Sequence, residues 1–397
     1  MRIGFVGCGF TADCYMPSLK RYTHLNLVAA TDRDPQRASQ FCNYHSVPFC
    51  RNLDAMLADP DIEMIVNLTS LGSHFEVSKA CLEAGKHLYS EKPVAATLSQ
   101  AQELTHLAKA KGLYFSAAPC SLLGETAQTL WRALCNKAIG AVRVAYAELD
   151  DGAFHLGGPH LWHSASGAPY DYQEDFNVGV TVAHAEYYLT WFAAFFGPAK
   201  TITSFSSCLW PDRQVAPELP LQVTVPDFSV ACITFDSGVV LRLTCGMIAP
   251  YNHVMRIVGD TGVLRVDECW NFSAPVYLDQ YSSLRFRAER YPITKTYPFI
   301  ARWLGPRPRT YSPVKNVNCR KRNSRYRMDY ARGISDLAMA IAEQRPPRLS
   351  ADLSLHVTEL ALAIQNAKET PYQVTTTFQP LQPMDDAALH EYLSIKW

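Results

Sequence analysis

The chain opens on a short apolar strand that runs directly into a glycine-rich turn. Residues 2–12 read Arg-Ile-Gly-Phe-Val-Gly-Cys-Gly-Phe-Thr-Ala, with Gly-x-Gly-x-x-Ala at Gly7, Gly9 and Ala12. Gly7 allows a tight turn, Gly9 lets a pyrophosphate approach the backbone, and Ala12 lets the next helix pack closely on a sheet. A phosphate would lie at the positive end of that helix. The pattern predicts a βαβ unit that binds a dinucleotide, with Phe10 and Thr11 in the same turn.

A second apolar segment, Leu27 to Thr31, ends at an acidic residue. Asp32 follows Gly9 by 23 residues, and a carboxylate about 20 residues beyond the glycines typically binds the adenosine ribose hydroxyls. Asp32 would repel a 2′-phosphate and favours NAD, whereas Arg33 could stack on adenine or pair with the 2′-phosphate of NADP. We therefore predict NAD as the cofactor, with NADP as the alternative. The position of Asp32 argues against the competing interpretation, a plain strand-to-helix turn.

Length and composition limit the class of protein. A chain of 397 residues exceeds a typical single domain, so we expect two domains. The formal net charge is zero, which argues against nucleic acid or an anionic membrane as a partner and favours a small-molecule substrate. The 12 cysteines form no Cys-x-x-Cys pair and are typical of reduced thiols. With no signal-like segment or membrane-spanning run in view, we expect a cytoplasmic protein.

Local patterns divide the chain into two parts. In residues 1–120, short β-branched runs alternate with helical segments, as in a parallel sheet covered on both faces. In residues 121–397, a predicted helix over 178–196 precedes several strands between residues 200 and 266. We predict an α/β plus α+β architecture. A doubly wound dinucleotide-binding domain is followed by a domain with a mainly antiparallel, open-faced sheet that binds substrate and forms oligomer contacts.

A longer motif surrounds the predicted strand His87–Ser90. Residues 82–93 read Leu-Glu-Ala-Gly-Lys-His-Leu-Tyr-Ser-Glu-Lys-Pro, and this run resembles the signature of the glucose-fructose oxidoreductase/inositol dehydrogenase (Gfo/Idh/MocA) family. The resemblance extends to the glycine turn, to Asn67-Leu68-Thr69-Ser70 with His74 beyond it, and to Tyr330-Ala331-Arg332-Gly333. It implies a Rossmann domain, an open-faced sheet domain, and NAD(P)-dependent oxidation or reduction at a sugar or cyclitol carbon. It also implies a homodimer or homotetramer made by sheet packing, and cofactor contacts from Thr69, Ser70, His74, Glu91 and Lys92.

Lys92 is the first candidate catalytic residue. An ammonium that is partly desolvated beside a cationic nicotinamide ring releases its proton more readily. It can then exchange a proton with a substrate hydroxyl while a hydride is transferred. Glu91 would hold the cofactor amide or orient Lys92, and the resemblance implies a cis peptide bond before Pro93. A surface Glu–Lys ion pair before a proline is the competing interpretation.

His184 is the second candidate, because the resemblance implies a histidine here that shares proton transfer with the lysine. We expect Asn177 and Thr181 near the same helix face, toward the substrate. A neutral imidazole there could accept the carbinol proton. A buried histidine bonded to a backbone carbonyl is the competing interpretation.

Two positions depart from the family pattern. Dehydrogenases of the family usually carry an aspartate four residues before this histidine and a carboxylate one helical turn after it, where this chain has Val180 and Tyr187. A catalytic set of lysine, aspartate and histidine is therefore incomplete. Glu174, Asp175 and Glu186 are the candidates for a compensating carboxylate.

A loop rich in aromatic residues and histidines, 154–163, is the predicted substrate wall, with His160, Trp162 and His163 as contacts. Its histidines lack a metal-ligand spacing, so we predict no metal. The basic run Arg320-Lys321-Arg322 lies in the segment 282–327, which has no clear assignment, and it is more typical of a solvated loop than of a phosphate site.

The favoured function is an NAD(P)-dependent oxidoreductase that acts on a secondary hydroxyl or ketone of a sugar, cyclitol or related polyhydroxylated metabolite. Two alternatives stay open. An NAD-dependent glycoside-cleaving enzyme would use transient oxidation and keep its cofactor through turnover. A non-catalytic NAD(P)-binding sensor is favoured by Val180 and disfavoured by the retained Glu91-Lys92-Pro93.

Overall fold

The first of two large sheets is parallel throughout and has five strands in the order β2-β1-β3-β4-β5. The computed structural model describes residues 1–281, 292–297, 299–300, 309–311 and 328–389. The elements of the first sheet are β1 (Arg2–Val6), α1 (Phe10–Leu19), β2 (Asn26–Thr31), α2 (Pro35–His45), α3 (Leu53–Leu57), β3 (Met64–Asn67), α4 (Leu71–Glu83), β4 (His87–Ser90), α5 (Leu98–Ala110) and β5 (Phe115–Ala117). Because side chains alternate along a strand, Phe5 and Val66 pack in one core cluster while Val6 and Ile65 pack in another. Both faces are covered, which confirms the doubly wound prediction.

The strand order determines where a ligand can bind. The chain moves outward from β1 to β2 and then returns to the other side of β1 as β3. A crevice forms at such a switch point, outside the carboxyl ends of the strands. Asp34 caps the N-terminus of α2 by accepting a hydrogen bond from the Gln36 N–H at 3.0 Å, so the helix begins directly beyond this edge.

The second sheet has nine strands in the order β15-β14-β13-β12-β6-β11-β10-β7-β16. Its elements and the neighbouring helices are α6 (Glu125–Cys135), β6 (Val142–Asp150), α7 (Tyr172–Val178), α8 (Val180–His184), α9 (Glu186–Phe196), β7 (Ala199–Ser207), a hairpin of β8 (Asp212–Ala216) and β9 (Leu219–Gln222), β10 (Phe228–Phe235), β11 (Val240–Gly246), β12 (Met255–Gly259), β13 (Gly262–Val266), β14 (Val276–Gln280), α10 (Pro292–Thr296), β15 (Arg309–Tyr311), α11 (Arg332–Ala342), α12 (Ala351–Gln365) and β16 (Tyr372–Gln373). Strands β6 and β11 run parallel and the other pairs antiparallel. The predicted mainly antiparallel sheet is confirmed.

One face of this sheet carries exposed aromatic side chains. Tyr146 on β6 is 38% exposed and Phe205 on β7 is 55% exposed. The assembly into a homodimer or homotetramer through this face stays a prediction.

The prediction of a single helix over 178–196 is wrong at its start, because the helical conformation is interrupted at Gly179. Gly179 has φ +88°, a conformation that a helix cannot contain. A Cβ at this position would lie 2.7 Å from Gln365 Oε1. Asn177 and His184 therefore lie on separate helices, α7 and α8, and do not share the face that helical spacing predicted.

The C-terminal helices return to the first sheet. The Ser116 hydroxyl donates to the Leu349 carbonyl at 2.6 Å, and Lys109 pairs with Asp352 at 2.6 Å. The Arg332 guanidinium is fully buried and pairs with Glu125 at 3.3 Å, which ties α11 to α6. The last part of the chain thus packs on both sheets, and the boundary at residue 120 stays a prediction.

Further expectations concern location and the basic segment. Every cysteine within the described ranges is a free thiol. In the same ranges, no helix combines the length and the apolar character needed to cross a bilayer. The basic run Arg320-Lys321-Arg322 lies outside the described residues, and the cytoplasmic location stays a prediction.

Candidate active site

A cavity of about 590 Å³ lies at the carboxyl edge of the first sheet. Residues from the first sheet and from the loop before α7 line it together. Its walls include Gly7, Gly9, Phe10, Thr11, Asp32, Arg33, Arg37, Arg51, Thr69, Ser70, Ser73, Pro169, Tyr170, Asp171, Glu174 and Asp175. Eight of the residues predicted to contact the cofactor therefore share one wall, namely Gly7, Gly9, Phe10, Thr11, Asp32, Arg33, Thr69 and Ser70.

The two glycines of the turn have different surroundings. Gly7 has φ +97°, and a Cβ there would lie 2.5 Å from the Leu68 carbonyl oxygen. Gly9 precedes α1 with φ −82°, and a Cβ there would meet nothing within 4 Å. Gly7 thus permits the tight turn against β3, whereas Gly9 faces open space at a helix N-terminus, where a phosphate can bind. Ala12 is fully buried on α1.

Asp32 lies at the end of β2, on the cavity wall. Its carboxylate accepts hydrogen bonds from the Cys8 N–H at 2.8 Å and the Asp34 N–H at 2.9 Å, so it is held between the glycine turn and α2. Arg33, Arg37 and Arg51 also line the cavity. The Asp32 carboxylate is compatible with binding ribose hydroxyls, and the three guanidinium groups are compatible with binding a 2′-phosphate.

The segment after β3 contributes two cavity residues and one internal support. Thr69 and Ser70 line the cavity. His74 was predicted to contact the cofactor, but its side chain is buried, with Nδ1 at 2.7 Å from the Pro93 carbonyl oxygen and Nε2 at 2.8 Å from that of Thr69. Burial lowers the pKa of His74. The imidazole lies between the loops after β3 and β4, and each ring nitrogen is close to a backbone carbonyl oxygen, to one of which it donates.

A strap, residues 164–175, extends from the second sheet domain across the cavity. The Ser164 and Ser166 hydroxyls donate to Asp13 on α1 at 2.5 and 2.6 Å. The Leu71 N–H at the start of α4 donates to Glu174 at 2.7 Å, and burial raises the pKa of Glu174. Since Asp13 and Leu71 belong to the first sheet domain, these bonds fix the strap over the dinucleotide crevice.

Lys92 follows β4, and its peptide bond to Pro93 is cis, as the resemblance implied. The ammonium donates a hydrogen bond to the Ala183 carbonyl oxygen and lies 5.7 Å from the centre of the Tyr187 ring. Glu91 accepts the Tyr15 hydroxyl at 2.5 Å and the Lys92 backbone N–H at 3.0 Å. The structure thus brings the Lys92 ammonium to the residue that precedes His184.

His184 ends α8, and Asp151 is its carboxylate partner. The His184 Nδ1 bonds to Asp151 Oδ2. The His184 and Trp270 rings pack edge to face, with their centres 5.6 Å apart. The three acidic residues predicted to compensate for Val180 are each engaged elsewhere. Glu174 accepts from Leu71 N–H, Asp175 from the Tyr170 hydroxyl, and Glu186 from the Thr358 hydroxyl. The carboxylate that bonds to His184 is instead that of Asp151, directly after β6.

Two further residues, His253 and Glu268, continue the series of hydrogen-bonded side chains on the side of Asp151 away from His184. His253 Nε2 lies 2.9 Å from Asp151 Oδ1, and His253 Nδ1 lies 3.1 Å from Glu268 Oε1. Burial alone would lower the pKa of His253, but its hydrogen bonds to Asp151, Cys269 and Glu268 outweigh burial and raise it to about 11. Burial alone would raise the pKa of Asp151, but the two imidazoles hold it well below its usual range. His253 therefore lies between two carboxylates, and its raised pKa favours the protonated form.

One group within the described ranges has the composition of a metal site. Donor atoms of His253, Glu268 and Cys269 lie within 4.8 Å of one another. Glu268 also accepts the Tyr251 hydroxyl at 2.5 Å and the Trp270 N–H at 2.9 Å. These hydrogen bonds already satisfy the carboxylate, so the group is explained without a metal ion.

The predicted substrate contacts lie in different surroundings. Trp162 is 40% exposed and lies 5.4 Å from Tyr170 of the cavity wall, ring centre to ring centre. His160 is partly buried and His163 is exposed. Thr181 was predicted to face the substrate, but it is fully buried and bonds to the Ser229 hydroxyl at 2.6 Å. Asn177 is exposed on α7, so the break at Gly179 separates it from His184.

Sequence reasoning missed Asp151, His253 and Glu268. Asp151 directly follows β6, and loop residues at the end of a strand often bind ligands in sheet proteins. No local pattern marks His253 or Glu268. His253 contacts Asp151 because β12 pairs with β6, and Glu268 contacts His253.

The chain was then compared with known proteins. Residues 1–118 match a family described as an oxidoreductase family with an NAD-binding Rossmann fold, and residues 127–265 match the Gfo/Idh/MocA C-terminal domain. The chain belongs to the Gfo/Idh/MocA oxidoreductase family. This membership confirms the resemblance, and a nicotinamide adenine dinucleotide is the cofactor of this family's first domain.

Several Gfo/Idh/MocA relatives cover most of the chain. Trans-1,2-dihydrobenzene-1,2-diol dehydrogenase of Bos taurus is 25% identical over 276 residues, which are 68% of this chain and 76% of the relative. The WlbA dehydrogenase of Bordetella pertussis, solved with NADH and UDP-GlcNAcA, has a TM-score of 0.68 at 15% identity and covers 96% of this chain and 98% of its own. A 3-ketoreductase from Actinomadura kijaniata, solved in an open conformation with TDP-benzene and NADP, has a TM-score of 0.66 at 18% identity, covering 92% and 97%. The two solved structures share the fold of this protein.

Proposed function

We propose that this Gfo/Idh/MocA oxidoreductase transfers a hydride between a nicotinamide cofactor and a secondary hydroxyl or ketone of a sugar, cyclitol or related polyhydroxylated metabolite. The observation that carries the proposal is the approach of two proton-transfer groups from different domains. Lys92 follows β4 of the dinucleotide-binding sheet and donates to the carbonyl of Ala183, next to His184 on α8. An alcohol oxidation needs such a group beside the carbon that loses the hydride.

The residues around the cavity fit a dinucleotide. Gly9 faces open space at the start of α1, where the helix dipole favours a pyrophosphate. Asp32 lines the cavity beyond the end of β2, and we propose that it binds the adenosine ribose. NAD(P), when bound, supplies the acceptor or donor of the hydride. We propose NAD as the preferred form, and the three cavity arginines keep NADP as the alternative.

Lys92 and His184 are the two groups that can transfer the substrate proton. In the oxidation direction, the substrate hydroxyl lies against Lys92 and His184, one of which accepts its proton as the carbinol carbon loses the hydride. In the reduction direction, the same group returns the proton to the developing alkoxide. Tyr187 and Trp270 pack beside the two residues and restrict water at the reacting carbon.

The relatives support a sugar-like substrate. The WlbA structure carries UDP-GlcNAcA, a nucleotide sugar. In this chain, Trp162 and Tyr170 offer aromatic faces at the outer edge of the cavity. Aromatic faces stack on the C–H surface of a sugar ring. We propose that this edge, with His160 and His163 in the same loop, contacts the substrate.

The testing experiment uses the purified full-length chain. Mass spectrometry and absorbance first identify any bound nicotinamide. Sugars, cyclitols and nucleotide sugars are then added one at a time, with NAD or NADP, while absorbance at 340 nm reports the reduced cofactor. A substrate-dependent redox change that is absent in Lys92→Ala supports the proposal.

Two other results would contradict the proposed function. Cleavage of a glycoside without net NADH production would assign the glycoside-cleaving alternative. Cofactor binding without turnover of any compound, in wild type and Lys92→Ala alike, would favour a sensor.

A further inference from the structure

A chain of acidic and basic side chains lies behind His184 and connects it to the second sheet. We propose that Asp151 is the positioning residue for His184 and replaces the carboxylate that the family pattern places at position 180. This inference rests on the proposed function, in which His184 takes part in proton transfer. His253 and Glu268 hold Asp151 in place from the other side.

The two oxygens of Asp151 have separate partners. Oδ2 bonds to His184 Nδ1, and Oδ1 lies 2.9 Å from His253 Nε2. The Asp151 side chain is only 6% exposed, so rotation would break two buried hydrogen bonds. The carboxylate therefore fixes the plane of the His184 ring.

This contact selects one tautomer of His184. A carboxylate accepts hydrogen bonds, so Nδ1 of His184 carries the proton and donates. Nε2 is then the lone-pair nitrogen, and no hydrogen bond among the described residues engages it. The same arrangement of carboxylate, imidazole and reacting group orients the base in serine hydrolases.

Backbone hydrogen bonds also hold Asp151 in place. The Asp151 N–H donates to the Gly246 carbonyl at 2.9 Å, at the end of β11. Asp150, one residue earlier, exchanges backbone hydrogen bonds with Asn252 at 3.0 and 2.9 Å. A carboxylate anchored at a strand end is positioned more precisely than one on a free loop.

The charges behind Asp151 keep it ionised. His253 is fully buried between Asp151 and Glu268, and its raised pKa favours the protonated imidazolium. Glu268 balances this charge and is itself held by Tyr251 and by the Trp270 N–H. Asp151 therefore faces a cation on one oxygen and offers the other to His184.

Position 180 cannot perform this task in this chain. Val180 is fully buried in the apolar core and carries no polar atom. The hydrogen bond to His184 Nδ1 comes instead from the sheet side, from Asp151.

A spectroscopic experiment tests the tautomer without any substrate. The full chain is labelled with ¹⁵N-histidine, and the ring resonances of His184 are assigned by their loss in His184→Gln. We expect a protonated Nδ1 and an unprotonated Nε2 in the wild type, and loss of this preference in Asp151→Asn. A wild-type His184 protonated on Nε2 alone would overturn the proposal, even if Asp151→Asn did not fold.

A kinetic cycle tests the consequence. With the substrate found in the panel above, Asp151→Asn lowers kcat about 10- to 100-fold, as is usual when the partner of a functional histidine is removed. KM changes by less than about threefold, because binding contacts are untouched. In a His184→Gln background, Asp151→Asn has almost no further effect, since the residue acts only through the imidazole.

Asp150→Asn is the matched control, because it changes the neighbouring carboxylate, for which the described residues show no hydrogen bond to either imidazole. It should keep kcat within about twofold of the wild type. An equal loss of kcat from Asp151→Asn with and without His184 would overturn the positioning role. If the wild type turns over no compound in the panel, the proposed function fails while the histidine spectrum still decides the role of Asp151.

Discussion

Replacing each glycine of the nucleotide turn by alanine should affect stability and cofactor binding differently. Gly7 has φ +97°, and its new Cβ would lie 2.5 Å from the backbone oxygen of Leu68. A left-handed conformation costs a non-glycine residue about 1–2 kcal/mol, and forcing an additional methyl into packed backbone costs about 1–3 kcal/mol. We expect Gly7→Ala to lower the free energy of unfolding by about 2–5 kcal/mol and also to displace the turn from the cavity.

Gly9→Ala is the matched variant, because its backbone is extended and its Cβ would meet open space. At a helix N-cap, the loss of glycine and the reduced entropy of the unfolded chain offset each other to within about 1 kcal/mol. The new methyl projects where a phosphate approaches, so the affinity for NADH should fall by at least about tenfold, or 1.4 kcal/mol.

Urea unfolding of the cofactor-free variants and calorimetric titration with NADH separate the two effects. Gly7→Ala should lose both stability and binding, whereas Gly9→Ala should lose binding alone. Gly7→Ala with wild-type stability would contradict the steric argument. Gly9→Ala with wild-type affinity would show that the pyrophosphate does not lie against this turn.

Three other substitutions test the site and the fold. Asp32→Ala should weaken binding of NAD more than that of NADP, because the ribose hydroxyls lose their acceptor while the arginines remain; unchanged affinity for both in a titration would refute the ribose assignment. Lys92→Ala should keep the cofactor affinity but lower kcat about 10²- to 10⁴-fold, and normal turnover would remove Lys92 from the mechanism. Burial lowers the pKa of His356 to about 4 from its ordinary 6.5, so the unfolded chain binds the additional proton first and stability falls as the pH drops through this range. Between pH 7.5 and pH 5 this shift should lower the free energy of unfolding of the wild type by about 2 kcal/mol. Urea titrations should find this loss in the wild type but not in His356→Gln. Equal losses in the two proteins would contradict the lowered pKa of His356.

Elements with strong local signals could be predicted from the sequence. Helix α5 has strong local signals at both ends, because Thr97 caps its start and Gly112 follows its end with φ +64°. Strand β4 has its predicted bounds, His87–Ser90. The glycine turn and Asp32 share one cavity because a βαβ unit forms within about 30 residues, where local order is sufficient.

What could not be predicted depends on contacts between distant segments. Asp151 and His184 are 33 residues apart, and their contact requires both the end of β6 and the break before α8. Helical spacing placed Thr181 beside His184, but the packing of α8 on β10 turns its hydroxyl to Ser229. The family resemblance therefore pointed to His184, while tertiary packing determined its partner.

Under the proposed function, the reacting groups come from separate domains and their distance depends on how the domains are joined. Lys92 belongs to the loop after β4, and His184 belongs to a helix on the second sheet. The strap bonds from Ser164 and Ser166 to Asp13, and from Leu71 to Glu174, join the same two units beside the cavity. Because proton transfer requires hydrogen-bond contact, a small change in these anchors alters the alignment of Lys92 with His184 without touching either residue. Under the proposed function, the strap bonds therefore help to set the distance between Lys92 and His184.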